Sequence, residues 1–240
     1  MIQVAQNGGH EPGSHPALPV TLKELAADAG VCWAAGASSV HLHPRRPQDG
    51  KESLAAVVCD PVVAAIRAAA PSLEVSLSTA DSIALDGAGD RISATNAWRE
   101  PPDVVSLNIS EPGWIELGAA LLDRGIGIEA GVFDLADAAA LLGAPWAEQV
   151  TRVLVEVIYE HRSDRAVQLA RAIDARVAPL GRPALWHGDD RATWAVVGAG
   201  LAAGRDVRVG LEDSLVDEHG EPAPDNPGQV SSIRADRRER

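Results

Sequence analysis

The chain alternates strand-like and helix-like segments along its whole length, and this alternation restricts its fold more than any other feature. Short runs rich in Val, Ile and Leu, bounded by Gly, Pro or charged residues, predict eight strands. They lie at residues 2–6, 38–43, 74–78, 103–109, 126–130, 153–158, 183–187 and 206–211. Helical periodicity occupies the segments between most of them, at 22–35, 54–70, 114–124, 134–143, 164–178 and 192–203. Eight such units predict an α/β protein that forms a single (β/α)8 TIM barrel.

An open, doubly wound parallel sheet is the alternative fold. Such sheets usually carry a glycine-rich GxGxxG turn after an early strand. The turn at residues 7–10, Asn-Gly-Gly-His, does not have that spacing. The closed barrel is therefore favoured.

The domain organisation follows from the length of the chain. Because α/β barrels of about this length commonly form without an internal boundary, we expect one barrel domain over residues 1–233. The alternately charged residues 234–240 predict a C-terminal tail. Residues 79–102 predict a loop that can hold a short helix, and residues 214–229 predict a loop in which Asn226 opens a last short helix.

Charge and residue usage exclude several classes of function. The chain has 21 basic and 34 acidic residues and a formal net charge of −13, which argues against nucleic acid or an anionic membrane as a partner. The only lysines, Lys23 and Lys51, lie away from the ends of predicted strands, which disfavours Schiff-base chemistry. Cys32 and Cys59 lie in predicted helices, and we expect buried thiols in a reducing cytoplasm. We expect no signal peptide and no membrane span.

Two histidines stand at the end of the second predicted strand, in the run H-L-H-P-R at 41–45. Alternate side chains of a strand share a face, so the imidazoles of His41 and His43 point the same way. Pro44 ends the strand because it cannot donate to the ladder. Such a pair can hold two corners of a metal site, although a catalytic zinc site needs a third protein ligand. The alternative is a pair of histidines hydrogen-bonded in the barrel interior.

The best third ligand is Glu212, at the end of the eighth predicted strand. Strands eight, one and two are neighbours in a closed barrel, so only strand one separates Glu212 from the histidines. Arg208, Gly210 and Glu212 share one face of their strand, which favours the barrel mouth for this polar set. Two neutral imidazoles and one carboxylate suit zinc. The alternative is a buried ion pair between Glu212 and Arg208.

Other histidines are rival candidates for metal binding. His187 is the strongest rival, because it ends the seventh predicted strand beside the eighth. The remaining candidates are His15, His161 and His219.

Two motifs carry a family resemblance: H-L-H-P-R at 41–45 and R-V-G-L-E-D at 208–213. They occur in a chain that opens with Asn7-Gly8 and continues with L-P-V-T at 18–21. This combination resembles the β-keto acid cleavage enzymes, the family that includes 3-keto-5-aminohexanoate cleavage enzyme. The resemblance runs from the first strand to about Val230 and also takes in residues 36–37, 78–79 and 129–134.

The resemblance implies an activity and a cofactor. Family members are zinc-bound TIM barrels that react a 3-oxo acid with acetyl-CoA, giving acetoacetate and a new acyl-CoA. A homo-oligomer, either a dimer or a tetramer, is also implied. The implied zinc ligands are His41, His43 and Glu212.

The resemblance also implies roles for residues around the metal. Arg208 and Asp213 would be the paired acid–base and orienting groups, and Glu129 would be a further polar group of the catalytic site. Ser78 would contact the substrate carboxylate. Polar residues at or near predicted strand ends are further candidates for substrate binding: Arg45, Thr79 and Asn108.

These residue types fit the chemistry. A 3-oxo acid offers a ketone oxygen and a carboxylate oxygen to zinc, so chelation polarises the ketone. Carbon–carbon cleavage leaves an enolate, whose charge a metal and a guanidinium stabilise. A carboxylate must move protons, and Asp213 beside Arg208 meets that requirement.

The chain departs from its relatives in ways that keep other functions open. It is shorter than most of them, mainly between strands five and eight, where coenzyme contacts would arise. Gly131 replaces the second Glu of the family's E-x-E-V-F-D segment. One alternative is a zinc-dependent barrel lyase or hydrolase that acts on a small oxo acid without CoA. The other is a barrel without catalytic activity.

Overall fold

Eight parallel strands close into a barrel in chain order, as the sequence predicts. The computed structural model describes residues 1–83, 85, 89–158, 160 and 162–239. The strands are β1 Ile2–Ala5, β2 Ser39–Leu42, β3 Glu74–Ser78, β4 Val104–Asn108, β5 Gly127–Val132, β6 Arg152–Val157, β7 Ala184–Gly188 and β8 Asp206–Val209. The helices are α1 Leu22–Ala35, α2 Ala56–Ala69, α3 Arg91–Asn96, α4 Trp114–Asp123, α5 Leu135–Leu142, α6 Ser163–Val177, α7 Thr193–Ala202 and α8 Asn226–Glu239. Short 3-10 helices cover Ala147–Gln149, Ala178–Leu180 and Asp190–Ala192.

Pairing of β1 with both β2 and β8 closes the barrel. Gln3 lies opposite Ser39 on one side and opposite Arg208 on the other. Gly210, just after β8, packs directly on β1, since a Cβ there would lie 1.9 Å from the Ala5 carbonyl oxygen. A glycine is therefore required where the chain leaves β8, and the ends of β8, β1 and β2 lie side by side.

Local signals in the sequence account for the first helix. Thr21 accepts a hydrogen bond from the Glu24 amide, and the Glu24 carboxylate accepts one from the Thr21 amide, so a capping box begins α1. Gly36 ends it with a left-handed φ of 111°. The inward face of α1 includes Cys32, and α2 includes Cys59; both side chains are buried thiols.

The core consists of aliphatic side chains between the strands and the surrounding helices, in keeping with an aromatic content of only 3%. Trp186 on β7 is the largest fully buried side chain, and its indole donates to Asp174 of α6. None of the described helices is both long and apolar enough to cross a membrane.

The structure differs from the sequence prediction at two elements near the C-terminus. β8 ends at Val209, so Glu212 lies on the turn after the strand, where its amide donates to the Ala5 carbonyl. The last helix, α8, extends to Glu239 and covers most of the range predicted as a tail. The division into a barrel and a tail stays a prediction. α3 is the short helix within residues 79–102.

Candidate metal and active site

Three side chains converge at the end of the barrel where β8, β1 and β2 meet. His41 lies on β2, His43 just after it, and Glu212 on the turn after β8. One ligand atom from each lies within 4.8 Å of the others, and no other group of three or more His, Cys, Asp or Glu residues does so among the described residues. The Glu212 Oε1 atom lies 3.7 Å from His41 Nε2 and 3.6 Å from His43 Nε2. The structure thus brings the predicted ligands together.

Hydrogen bonds to the opposite ring nitrogens orient both imidazoles. The Nδ1 atom of His41 lies 3.0 Å from the Ser76 hydroxyl, and the Nδ1 atom of His43 lies 2.8 Å from a Glu52 carboxylate oxygen. Both Nε2 atoms are therefore left for a shared ligand. Metal-binding histidines characteristically hold their second nitrogen in this way.

The position of Glu212 depends on a glycine. Gly8 follows β1 with φ +46°, and a Cβ on it would lie 2.3 Å from Glu212 Cγ. Glu212 Oε2 is buried and has no hydrogen-bond partner. A buried carboxylate oxygen without a partner is rare in proteins and calls for a cation or a proton. Together with two imidazole nitrogens, this oxygen fits the ligand preference of zinc.

Electrostatics favour an ionised Glu212. Burial raises the pKa of Glu212, but the Arg208 guanidinium and the two imidazoles outweigh burial and lower it well below its ordinary value. Burial lowers the pKa of His41 to about 3, against the opposing charge of Glu212. Burial also lowers the pKa of His43, but the carboxylates of Glu212 and Glu52 outweigh burial and raise it to about 9. His41 is therefore a neutral imidazole, the form that binds metals.

Arg208 joins Glu212 to Asp213. Its Nη2 atom donates to Glu212 Oε1 at 2.5 Å and to Asp213 Oδ1 at 2.8 Å, and its Nε atom lies 3.2 Å from Asp213 Oδ2. The predicted ion pair between Arg208 and Glu212 thus coexists with the convergence of the ligands. Burial raises the pKa of Asp213, but Arg208 and His187 outweigh it and lower the pKa. Asp213 is a buried carboxylate able to accept a proton.

Glu129 lies behind His41 rather than beside Asp213. It is fully buried on β5, where its carboxylate accepts from the Ser76 hydroxyl at 2.5 Å and from Gln3 at 2.6 Å. Arg152 Nε lies 3.4 Å from the same carboxylate. Glu129 therefore contacts the candidate metal ligand His41 through Ser76, and its role in catalysis stays a prediction.

The predicted substrate-binding residues occupy different positions. Ser78 ends β3 and is buried, whereas the Thr79 hydroxyl donates to the Ser106 carbonyl at 2.6 Å. Asn108 ends β4 and donates to Glu111 at 2.7 Å.

Arg45 is committed to backbone carbonyls. Its terminal nitrogens donate to the carbonyls of Gly8, His10 and Gly50 at 2.6–2.8 Å. These bonds tie together the loops after β1 and β2. These bonds give Arg45 a structural role, and its predicted contact with substrate stays a prediction.

The rival histidines do not join the candidate ligands. His187 lies next to Asp213, with its Nδ1 atom 3.4 Å from Asp213 Oδ1. His15 bonds the Ala223 carbonyl, and His219 is exposed. His161 lies outside the described residues.

Glu52 is a residue of the site that the sequence prediction missed, because it comes from an irregular loop whose path no periodicity encodes. Ser76 is among the polar residues near predicted strand ends, and in the structure it pairs in register with His41 on the neighbouring strand. Glu156 and His187 also lie near predicted strand ends, but their arrangement around Asp213 depends on the orientations of side chains inside the barrel.

A cavity of about 590 Å³ opens at the ends of β4, β5 and β6. Asn108 lines it, next to Phe133 and Ile158. Its remaining lining is rich in carboxylates, which come from Asp81, Glu111, Asp134, Asp137 and Glu160. Such a lining disfavours anions and suits the neutral or cationic part of a ligand.

Comparison with known proteins supports a family assignment. A sequence profile of the beta-keto acid cleavage enzyme family matches residues 1–239. The chain is also similar to the 3-keto-5-aminohexanoate cleavage enzyme of Fusobacterium nucleatum. The two are 23% identical over 247 residues that cover 91% of this chain and 84% of that enzyme.

Solved structures show the same barrel. ObcA in a binary complex with oxaloacetate has a TM-score of 0.74 at 18% identity, covering 92% of this chain and 63% of the ObcA chain. ObcA in a ternary complex with a C4-CoA adduct and oxalate has a TM-score of 0.73 at 20% identity, covering 92% and 64%. This chain thus spans less than two thirds of the length of ObcA. Because the family profile covers nearly all of it, the chain belongs to the beta-keto acid cleavage enzyme family.

Proposed function

We propose that this protein is a zinc-dependent β-keto acid cleavage enzyme that converts a 3-oxo acid and acetyl-CoA into acetoacetate and an acyl-CoA. The observation that carries the proposal is the convergence of His41, His43 and Glu212 beside the Arg208–Asp213 pair. The family assignment supports cleavage of a β-keto acid. The oxaloacetate and C4-CoA adduct named for ObcA support an oxo acid and CoA as ligands.

The proposed chemistry uses an ionised carboxylate next to a fixed cation. Zinc held by His41, His43 and Glu212 would supply a Lewis acid for the ketone of a chelated 3-oxo acid. Asp213 is ionised at neutral pH and takes a proton from C2, the carbon between the ketone and the carboxylate. Arg208 lies beside it and stabilises the negative charge that develops.

The overall reaction balances as an exchange of acyl groups. C2 of the 3-oxo acid gains the acetyl group and loses its original acyl group to the sulfur of CoA. The proton that Asp213 removes returns to the same carbon. Ser78 and Asn108, which lie at the ends of β3 and β4, are assigned to substrate binding. Thr79 stays assigned to the same role, although its hydroxyl and its amide both donate to the Ser106 carbonyl.

Further attributes belong to the same proposal. We assign the protein to the cytoplasm because both of its cysteines are buried thiols. A dimer or tetramer follows from the family resemblance alone, and sedimentation velocity of the purified protein would measure it.

A second candidate is a zinc-dependent lyase or hydrolase that acts on an oxo acid without CoA. Two observations favour it. The cavity beside Asn108 is acidic, which opposes the phosphates of CoA, and the chain spans only 63% of the length of an ObcA chain.

A panel of 3-oxo acids separates the two candidates. The purified, zinc-loaded protein is incubated with each acid, with and without acetyl-CoA, and acetoacetate and acyl-CoA are measured by mass spectrometry. Acetoacetate that appears only with the thioester supports the proposed function. Cleavage without the thioester supports the second candidate.

Zinc content tests the site itself. We expect stoichiometric zinc by atomic absorption in the wild type and in His219→Ala, whose imidazole is exposed, and a loss of zinc in His41→Ala. Absence of zinc from the wild type after reconstitution would reject both enzymatic candidates.

A further inference from the structure

Three ionisable side chains lie next to one another: Glu156 on β6, His187 on β7 and Asp213 on the turn after β8. His187 is the penultimate residue of β7 and is 1% exposed. Its Nδ1 atom lies 3.4 Å from Asp213 Oδ1, and its Nε2 atom lies 3.5 Å from Glu156 Oε2. Glu156 and His187 are partners in register on neighbouring strands. The imidazole thus lies within ion-pair distance of two buried carboxylates, although neither ring nitrogen makes a hydrogen bond, and nothing in the proposed chemistry yet uses it.

The surroundings keep this imidazole charged. Burial and the nearby Arg208 guanidinium lower the pKa of His187, but the carboxylates of Asp213 and Glu156 outweigh them and raise it to about 9. A buried cation is stable only where opposite charges compensate it. Loss of either carboxylate would therefore disturb the orientation of the ring.

A glycine on β5 makes room for Glu156. A Cβ on Gly131 would lie 2.4 Å from Glu156 Oε1 and 2.7 Å from Asn108 Oδ1. The space that a side chain of β5 would fill is occupied by a carboxylate from β6. Gly131 is therefore a means of changing the position of Glu156 without altering its chemistry.

The loop after β7 also fixes the backbone of Asp213. The Asp190 amide donates to the Asp213 carbonyl at 2.7 Å, and the Thr193 hydroxyl donates to it at 3.1 Å. Asp190 has a φ of 49°, the single positive value at a non-glycine residue among those described. Residues in this conformation persist where their surroundings demand it. Both the backbone and the side chain of Asp213 are thus held from the β7 side.

We propose that His187, braced by Glu156, is a positioning residue that sets the orientation of the Asp213 carboxylate. The inference rests on the proposed function, in which Asp213 moves a proton. His187 and Arg208 Nη2 both hold Asp213 Oδ1. Oδ2 keeps only the contact with Arg208 Nε at 3.2 Å, so it is the oxygen left to take the proton.

Isotope exchange at C2 tests the proposal without the coenzyme. Acetoacetate serves as the probe, and proton NMR in D2O follows deuterium entry at C2 above the rate in buffer, with zinc-loaded protein. An Asn side chain places its amide nitrogen near the Nδ1 position of histidine, whereas a Gln side chain places it near the Nε2 position. We therefore expect kcat for exchange to fall about 10- to 100-fold in His187→Gln, with KM little changed. His187→Asn should recover at least a third of the wild-type kcat.

Two variants approach the same contact from the other side. Glu156→Gln removes the negative charge of Glu156, and Gly131→Ala displaces the Glu156 carboxylate. We expect kcat to fall at least about threefold in each, with the zinc content unchanged. The matched control is His15→Asn, which alters a buried histidine bonded to the Ala223 carbonyl, and we expect it to keep wild-type exchange.

A spectroscopic measurement adds a readout that does not depend on activity. In the metal-free wild type at pH 7, long-range proton–nitrogen NMR should show the His187 ring as an imidazolium, and its resonances should shift in Gly131→Ala. A neutral His187, or resonances insensitive to that change, would overturn the proposal.

The kinetic outcomes are equally decisive. Equal losses in His187→Asn and His187→Gln would indicate a packing role and overturn the inference. If the His187 variants fail to fold, unchanged exchange in both Glu156→Gln and Gly131→Ala would overturn it. Wild-type protein without exchange would also overturn it. If the wild type exchanges deuterium into acetoacetate but forms no acetoacetate from other 3-oxo acids and acetyl-CoA, the inference is retained and the proposed function is rejected.

Discussion

At the residue scale, one hydroxyl connects the candidate metal ligands to the barrel interior. Ser76 lies between His41 Nδ1 and the buried Glu129 carboxylate. Groups that orient a metal-binding histidine in this way commonly contribute 10- to 100-fold, as an order of magnitude, to metal affinity. The site therefore extends beyond the side chains that the sequence motifs display.

Replacement of Ser76 tests this connection. We expect Ser76→Ala to weaken zinc binding by about tenfold or more, because His41 loses the partner that fixes its ring. Competition with a chromophoric chelator measures the affinity. Ser231→Ala, at an exposed position of α8, serves as the control and should bind zinc like the wild type. An affinity equal to that of the wild type in Ser76→Ala would show that the hydroxyl does not orient His41.

A second residue, Gly8, shapes the site by lacking a side chain. We expect Gly8→Ala to reduce zinc affinity by about tenfold or more, because its Cβ would lie 2.3 Å from Glu212 Cγ and displace the carboxylate. Gly13→Ala is a matched control, since Gly13 also has a positive φ but no atom within 4 Å of the added Cβ. If both variants lose the same affinity, backbone strain rather than the displacement of Glu212 is the cause.

The motifs predicted the ligands at this scale but not their supports. The proximity of His41, His43 and Glu212 could be predicted from the order of strands in a closed barrel, whereas strand parity applies to the histidines and not to Glu212, because β8 ends at Val209. Glu52 and the line from Glu156 to Asp213 could not, because they depend on loop paths and on rotamers within a packed interior. For Arg45 the sequence predicts a substrate contact, and the structure adds hydrogen bonds to backbone carbonyls that no motif indicates.

At the element scale, a buried carboxylate joins α1 to β1 and α8. Asp28 Oδ2 accepts from Gln6 Nε2 at 2.7 Å and from Asn226 Nδ2 at 3.0 Å. Burial raises the pKa of Asp28 to about 6, although these hydrogen bonds oppose the shift. The carboxyl group is therefore harder to ionise in the folded protein than in the unfolded chain.

This difference predicts a pH-dependent stability. The contribution of the protonated Asp28 carboxyl group to stability is fully present below about pH 4, the ordinary pKa of aspartate. It is lost as the pH rises through about 6. Asp28→Asn cannot ionise and keeps an oxygen that accepts both hydrogen bonds. We expect the free energy of unfolding of Asp28→Asn, measured relative to that of the wild type, to increase by about 1–3 kcal/mol from pH 4 to pH 7.

Urea unfolding at several pH values measures the effect. Asp123→Asn, at an exposed position of α4, should follow the wild type throughout. A constant difference between Asp28→Asn and the wild type across the range would contradict the prediction.

The elements themselves were predicted well where local signals are strong. The capping box at Thr21 and the positive φ of Gly36 set both ends of α1 where the sequence indicates. The end of β8 was predicted two residues late, because the apolar run continues into a turn that follows Gly210. α8 was predicted too short, since its charged last turns have no hydrophobic periodicity.

At the scale of the whole molecule, the candidate metal site joins two strands that are distant in sequence. A ligand that binds only the folded state stabilises it by mass action, about 2.7 kcal/mol at a free concentration 100 times its Kd. For a domain of this size, that corresponds to a rise in Tm of about 5–10 °C. We expect chelation of zinc to lower the Tm by this amount.

Differential scanning fluorimetry with and without chelator provides the measurement. Glu212→Gln lacks the carboxylate ligand, so its Tm should respond little to zinc or to its removal. An identical Tm for the wild type in both conditions would contradict a metal site that bridges β2 and the turn after β8.

The closed barrel was predictable as a whole because the alternation of eight strands with helices admits few other folds. The extent of the cavity beside Asn108 could not be predicted, because loop conformations and the side chains of several strands determine it together.

The pairing of β1 with both β2 and β8 has a consequence during biosynthesis. While the ribosome is still adding the final strand, the emerging polypeptide carries both imidazoles but lacks the glutamate that completes the triad. If the proposed function is right, tight binding of zinc requires translation to have passed Glu212, so we expect that a nascent chain stalled before that codon does not retain zinc.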